Sequence, residues 1–304
     1  MSFTPNLGYW IENSHRIGFQ NQSTSWVISG NDFVVDGGGW QQGGIQGNGQ
    51  AWYTRAQGRS NQFGRPIPLS IYNSTNTDPA GNGSNYAINL DGVNTYRVDN
   101  LIMENSAFQG GDDCFTPKGN STNIILKNIT CVGGGIAFGS VGQYPGFPDY
   151  IANFTASEIH VAQNVHPLYG GAKVAGGAYF KSWVGFEAGE PPQGGGGGTG
   201  RVNNVTFHNL SVHNTTQAIF INKCYYKVAE QANYCDTSTF KFEDLSFYNI
   251  SGTTSTSVGI ALNCSVAAPC SNVAFSDVSL VQDLGNSTHT RCVNARNVTG
   301  VRCS

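Results

Sequence analysis

Three of the chain's 19 acidic residues, Asp91, Asp112 and Asp113, fall in short glycine-flanked runs, Asn89-Leu90-Asp91-Gly92 and Gly110-Gly111-Asp112-Asp113-Cys114. Like charges held close together raise the pKa of at least one of them. A raised acid beside an ionised base is the pair that glycoside hydrolysis requires. Further along, Ala178-Tyr179-Phe180-Lys181 supplies a cation that would hold an anionic substrate group, and Asn222-Lys223-Cys224-Tyr225 supplies a phenol that would close the far end of such a site. Plainer readings compete. Asp91-Gly92 is also a turn signature, and Asp112-Asp113 reads equally as a solvated turn or half a calcium site. Adjacent strand residues point to opposite faces, so both Asp can face one cleft only if a bulge at Gly110-Gly111 allows it. His160 and His166 lie nearby in sequence and are read as structural or surface residues.

These residues need a scaffold that stacks short segments side by side, and the chain carries one. Apolar residues recur at i, i+2, i+5 and i+7: Tyr96, Val98, Leu101 and Met103; Ile124, Leu126, Ile129 and Cys131; Phe154, Ala156, Ile159 and Val161; Val205, Phe207, Leu210 and Val212; Phe240, Phe242, Leu245 and Phe247; Val273, Phe275, Val278 and Leu280. Spacing by two is one face of a short strand. The position four past each start is Asn100, Asn128, Glu158, Asn209, Asp244 or Asp277, a bend between two strands. A second apolar run follows most repeats, at Cys114-Phe115, Ile136 to Phe138, Ala178 to Phe180, Ala218 to Ile221 and Gly259 to Leu262, and reads as the third strand of each turn. The expected fold is all-β, a right-handed parallel β-helix, because units that cannot bury their own faces stack into a solenoid. Stacked turns also favour asparagine ladders. A β-sandwich does not demand this code.

Composition excludes other classes. A net charge of −3 offers no basic face for nucleic acid, and no run of 18 apolar residues is available to span a bilayer. The run Gly194 to Gly198 lacks the lysine and helix of a phosphate-cradling loop. The 8 Cys show no CxxC zinc pattern, so no metal or other cofactor is expected. Pairing in sequence order gives four short loops: Cys114 with Cys131, Cys224 with Cys235, Cys264 with Cys270, and Cys292 with Cys303. Thirteen Asn-x-Ser/Thr triplets, among them Asn120, Asn128, Asn153, Asn204, Asn209 and Asn249, suggest glycosylation. Disulfides and glycans together point to a secreted protein, expected to be monomeric, although Met1-Ser-Phe-Thr-Pro carries no signal peptide.

The ordered runs Asn89-Leu90-Asp91-Gly92, Gly111-Asp112-Asp113-Cys114, Gly135-Ile136-Ala137-Phe138-Gly139-Ser140-Val141-Gly142 and Phe180-Lys181 resemble the motifs of glycoside hydrolase family 28, the polygalacturonases and rhamnogalacturonan hydrolases that cut pectin. The likeness covers about Trp26 to Ser304 and is greatest to the fungal exo-acting branch. It implies that Asp112 is the general acid, that Asp91 and Asp113 activate water for single-step inversion, that Lys181 binds a substrate carboxylate, and that Tyr225 lines the cleavage point. An inverting pair would stand roughly 6.5–9.5 Å apart. Leu90 replaces the family's usual Thr, Gly134 its usual His, and Tyr179 its usual Arg. Gly134 and Tyr179 therefore mark a substrate site altered from that of an ordinary endo-polygalacturonase, and rhamnogalacturonan or attack on a chain end gains weight. Relatives also place more sequence between a segment like Arg65-Pro66-Ile67-Pro68 and the first motif. One domain over residues 1–304 is expected, truncated at its N-terminus and lacking a segment near 73–85. Two other readings make different predictions: an inactive carbohydrate-binding relative would bind without turnover, and a pectate-lyase-like helix would need calcium.

Overall fold

The computed structural model describes residues 1–16, 23–35, 47–48, 50–56, 66–67, 69–79, 82–88, 91–163, 176–191, 194–225 and 229–304. Asn89, Leu90, His166 and Tyr226 lie outside them.

The chain winds into a parallel β-helix. Long strands form its wall: Val93–Gly111, Ser121–Val132, Asp149–Ala162, Gly200–Thr215, Lys241–Thr254 and Cys270–Gln282. Each pairs in parallel with the next. Between them run the short strands Phe115–Pro117, Ile136–Val141, Gly176–Ser182, Gln217–Asn222, Val258–Asn263 and His289–Val293, which form a second parallel ladder. Its register aligns Phe115, Ile136, Ala178, Ile219, Ile260 and Thr290 across successive turns, as expected for the third strand. Near the segment expected to be shortened, Ser70–Pro79 and Asn82–Ile88 both pair in parallel with Val93–Gly111.

Alternation along the wall sends every second side chain inward. Ile124, Leu126, Ile129 and Cys131 are fully buried, as are Val205, Phe207 and Leu210. Inward aromatic rings stack from turn to turn: Phe138 on Phe180 at 4.4 Å, Phe207 on Phe247 at 5.6 Å and Phe247 on Phe275 at 5.2 Å. Stacks of this kind add about 0.5–1.5 kcal/mol each beyond area burial.

All six expected bend residues adopt the left-handed conformation, with φ from 53° at Asn128 to 58° at Asn100. Their alignment needs correction. Ile124, Phe154, Val205 and Val273 share one register position, but their partners in the neighbouring turns are Leu101 and Leu245, not Tyr96 and Phe240. Each wall strand bends twice, five residues apart, as at Asn123 and Asn128 or Asn204 and Asn209. A pattern that repeats within the turn fits in two ways, and the sets that start at Tyr96 and Phe240 begin one bend too early.

The bends build the ladders. Asn204 donates to Asn153 and Asn153 to Asn123, each at 2.8 Å. In the second column Asn128 donates to Asn105 at 2.8 Å and Asn249 to Asn209 at 2.9 Å. Asn128, Asn153, Asn204 and Asn249 therefore commit to a neighbouring turn the same Nδ2 that a glycan would use. The density of triplets has a second cause: a rung followed by an inward apolar residue and then Ser or Thr spells the acceptor sequence.

Candidate active site

Asp91, Asp112 and Asp113 come together on one edge of the helix. Asp112 and Asp113 occupy the bend between strands Val93–Gly111 and Phe115–Pro117. Strand alternation does not apply in a bend, so no bulge at Gly110-Gly111 is needed to bring both to the same face. Asp91 stands one turn earlier: Gly92 N–H donates to the Asp113 carbonyl at 2.9 Å and Val93 N–H to the Cys114 carbonyl at 3.0 Å. Turns stack about 4.8 Å apart, and one oxygen from each of the three carboxylates lies within 4.8 Å of the others. That separation is shorter than the wide gap expected for an inverting pair. Two of the acids are chain neighbours and the third is one stacking step away, which leaves no room for it.

The corner is held tightly. Cys114 is disulfide-bonded to Cys131 on the following wall strand, and both are buried. The other cysteines pair as Cys224–Cys235, Cys264–Cys270 and Cys292–Cys303. Gly134, expected to mark an altered substrate site, is buried against the backbone of Asp112 and Asp113. A methyl group there would sit 1.9 Å from the Asp112 carbonyl oxygen, so this backbone has no room for the family's usual His.

Two lysines flank the acids. Lys181, on the strand Gly176–Ser182, donates to Asp113 Oδ2 at 2.5 Å and lies 5.1 Å from the ring centres of both Tyr179 and Tyr225. Tyr225 is fixed by its backbone N–H, which donates to the Ser182 carbonyl at 3.0 Å. The Asn222 side chain donates to Tyr179 Oη at 3.0 Å, and Tyr179 stacks on Phe220 at 5.1 Å. The second lysine, Lys118, belongs to none of the motifs read from the sequence. Its Nζ donates to the Gly139 carbonyl at 2.8 Å and lies 3.9 Å from Asp91 Oδ2. A signal was available, since Lys118 stands three residues past Phe115 just as Lys181 stands three past Ala178.

The electrostatics separate the acids. Burial, followed by the charges of Asp113 and Asp91, pushes Asp112 up to about 7. Its Oδ1 accepts the Asp113 backbone N–H at 2.9 Å, which leaves Oδ2 to carry the proton. Burial also pushes Asp113 up, and the Lys181 ammonium opposes that. Burial disfavours the Lys181 ammonium, yet Asp113, Tyr225 and Asp112 hold it well above the usual lysine value. Burial raises Tyr225 to about 12 and raises Tyr179 as well, so both phenols keep their protons. The three Asp form the one group of potential metal ligands among the described residues. The ammonium groups of Lys181 and Lys118 stand where a cation would draw its partners, so this donor set fits a paired acid–base cluster better than a calcium cage.

Such a site can protonate a leaving oxygen and deprotonate water within one small volume. The family profile "Glycosyl hydrolases family 28" matches residues 69–168 and 193–303. An Aspergillus niger protein named "Putative galacturan 1,4-alpha-galacturonidase A" is 41% identical over 99% of this chain and 79% of its own length. An A. niger protein named alpha-L-rhamnosidase rgxB is 33% identical over 99% of this chain and 75% of its own. The crystal structure of an endo-xylogalacturonan hydrolase from Aspergillus tubingensis superposes with a TM-score of 0.76, at 22% identity, covering 100% of this chain and 82% of that one.

Proposed function

Because the chain belongs to glycosyl hydrolase family 28, we propose that it is a secreted enzyme that hydrolyses a pectic polysaccharide, galacturonan or rhamnogalacturonan, from the chain end. The observation that carries this reading is the meeting of Asp91, Asp112 and Asp113 within 4.8 Å at a corner also reached by Lys181. The relatives' names, a galacturonidase and a rhamnosidase, support removal of single terminal sugars. Four disulfides support an oxidising compartment.

Asp112 is the general acid. It gives its Oδ2 proton to the glycosidic oxygen as the bond from that oxygen to the anomeric carbon breaks. A water attacks the same carbon and passes its proton to Asp91 or Asp113, so the proton lost by Asp112 is regained at the base. Raising Asp112 to about 7 keeps it protonated in mildly acidic solution, where an acid catalyst must be. Lys181 holds Asp113 in place with one N–H and turns its other donors, with Tyr225 and Tyr179, toward a sugar carboxylate.

General spacing rules assign a close pair of carboxylates to retention and a wide pair to inversion. Inversion is favoured here for a local reason. Lys181 binds Oδ2 of Asp113 and Lys118 and Thr116 face Oδ2 of Asp91, which leaves Oδ1 of each acid to accept from one shared water. Two carboxylates so held are suited to gripping a water.

The test is a product profile on homogalacturonan and rhamnogalacturonan for the wild type and Asp112→Asn. Release of monomer from one polymer, lost in the variant, is the expected result. Oligosaccharide binding without turnover, or a product absorbing in the ultraviolet, would overturn it in favour of a binding protein or a lyase.

A further inference from the structure

Lys118 is a buried cation that the proposed chemistry does not use. It sits 9% exposed just after the strand Phe115–Pro117. Counting from the aligned pairs Phe115, Ile136 and Ala178, it occupies the register position of Gly139 and, one turn further, of Lys181. Two lysines thus stand at the same place on alternate turns, and the residue between them is a glycine. The Lys118 ammonium reaches across to the Gly139 carbonyl, which accepts at 2.8 Å. It then lies 3.9 Å from Asp91 Oδ2, an ion pair looser than the 2.5 Å hydrogen bond of Lys181 to Asp113. Burial pulls Lys118 below the usual lysine value; Asp91, Asp113 and Asp112 oppose that and Lys181 adds to it, and its field also reaches Asp149. A buried ammonium is costly unless it is paired, and the nearest unspent charge is Asp91.

We infer that Lys118 is a positioning residue that orients Asp91 as part of the water-activating pair, the part Lys181 plays for Asp113. This rests on the reading of Asp91 as a base.

The test compares Lys118→Met, Lys118→Arg and Asp91→Asn in kcat and KM on the pectic polymer. Lys118→Met should lower kcat about 10²-fold with KM little changed, because misplacing a reacting group by about 1 Å costs about that much. Lys118→Arg should recover most of the lost kcat. An unchanged kcat in a folded Lys118→Met, or a loss confined to KM, overturns the inference. If Lys118→Met fails to fold, the double variant Asp91→Asn/Lys118→Met decides. Recovery of folding when both charges are gone supports the pairing, and continued failure shows that Lys118 only props the Gly139 corner. Full activity in Asp91→Asn would instead overturn the base reading, a result distinguishable from failure of the lysine's role.

Discussion

Replacing Asp112 by asparagine should change stability in a way that depends on pH, independently of any substrate. In the folded protein Asp112 titrates at about 7, raised from an ordinary 3.8 chiefly by burial. A carboxyl whose folded pKa is raised binds its proton more tightly in the folded state. Its contribution is fully present below the unfolded value and is lost as pH climbs through the folded value. The window runs from about pH 4 to about pH 7. Each unit in that window costs about 1.4 kcal/mol, so the wild type should lose about 2 kcal/mol between pH 5 and pH 7 from this group, approaching about 4 kcal/mol above pH 7. The carboxamide of the Asp112→Asn variant has no acidic proton to lose and stays neutral at every pH. Urea unfolding of both proteins from pH 4 to pH 9, with disulfides intact, gives the difference directly. The variant should gain on the wild type by about 2 kcal/mol between pH 5 and pH 7 while losing catalysis by about 10²–10⁴-fold. A difference that stays flat across that window would show that Asp112 is already ionised in the folded state, and the acid assignment would fall with it.

Three further outcomes follow from the packing. Lys181→Met leaves Asp113 buried without its partner and should cost about 3–5 kcal/mol, most of it recovered by adding Asp113→Asn; thermal melts of the pair check this. Removing the Cys114–Cys131 disulfide, which closes a 17-residue interval, should cost about 3 kcal/mol and should lower kcat as well, since it frees the bend that carries Asp112 and Asp113; kinetics at a temperature where both forms stay folded separate the effects. Gly134→Ala places a methyl 1.9 Å from the Asp112 carbonyl and should reduce kcat more than it raises KM, whereas a substrate-binding role for residue 134 would show in KM.

The sequence was most informative where one physical rule acts alone. Alternation at Ile124-Leu126 and Val205-Phe207 can face only inward, and Asn at a bend announces both the left-handed backbone and the ladder. It was ambiguous where the rule repeats. Two bends five residues apart let Tyr96 and Phe240 pass for the aligned Leu101 and Leu245, and only inter-turn hydrogen bonds choose between them. The acids were found by their rarity, but their spacing was not, because it depends on a corner and a stacking distance that no local pattern encodes. Lys118 escaped notice because its partners, Asp91 and the Gly139 carbonyl, lie in the turns before and after its own. The pairing of Lys181 with Asp113 joins residues 68 apart in the chain, and nothing local marks it.

The most direct test of the central claim is the anomeric configuration of the first product, followed by proton NMR before mutarotation, on the polymer that the enzyme degrades. Attack by water held at Asp91 and Asp113, with Asp112 as acid, predicts a monomer whose configuration is opposite to that of the linkage cleaved. Retention would contradict the single-step account and make one of the close carboxylates a covalent nucleophile.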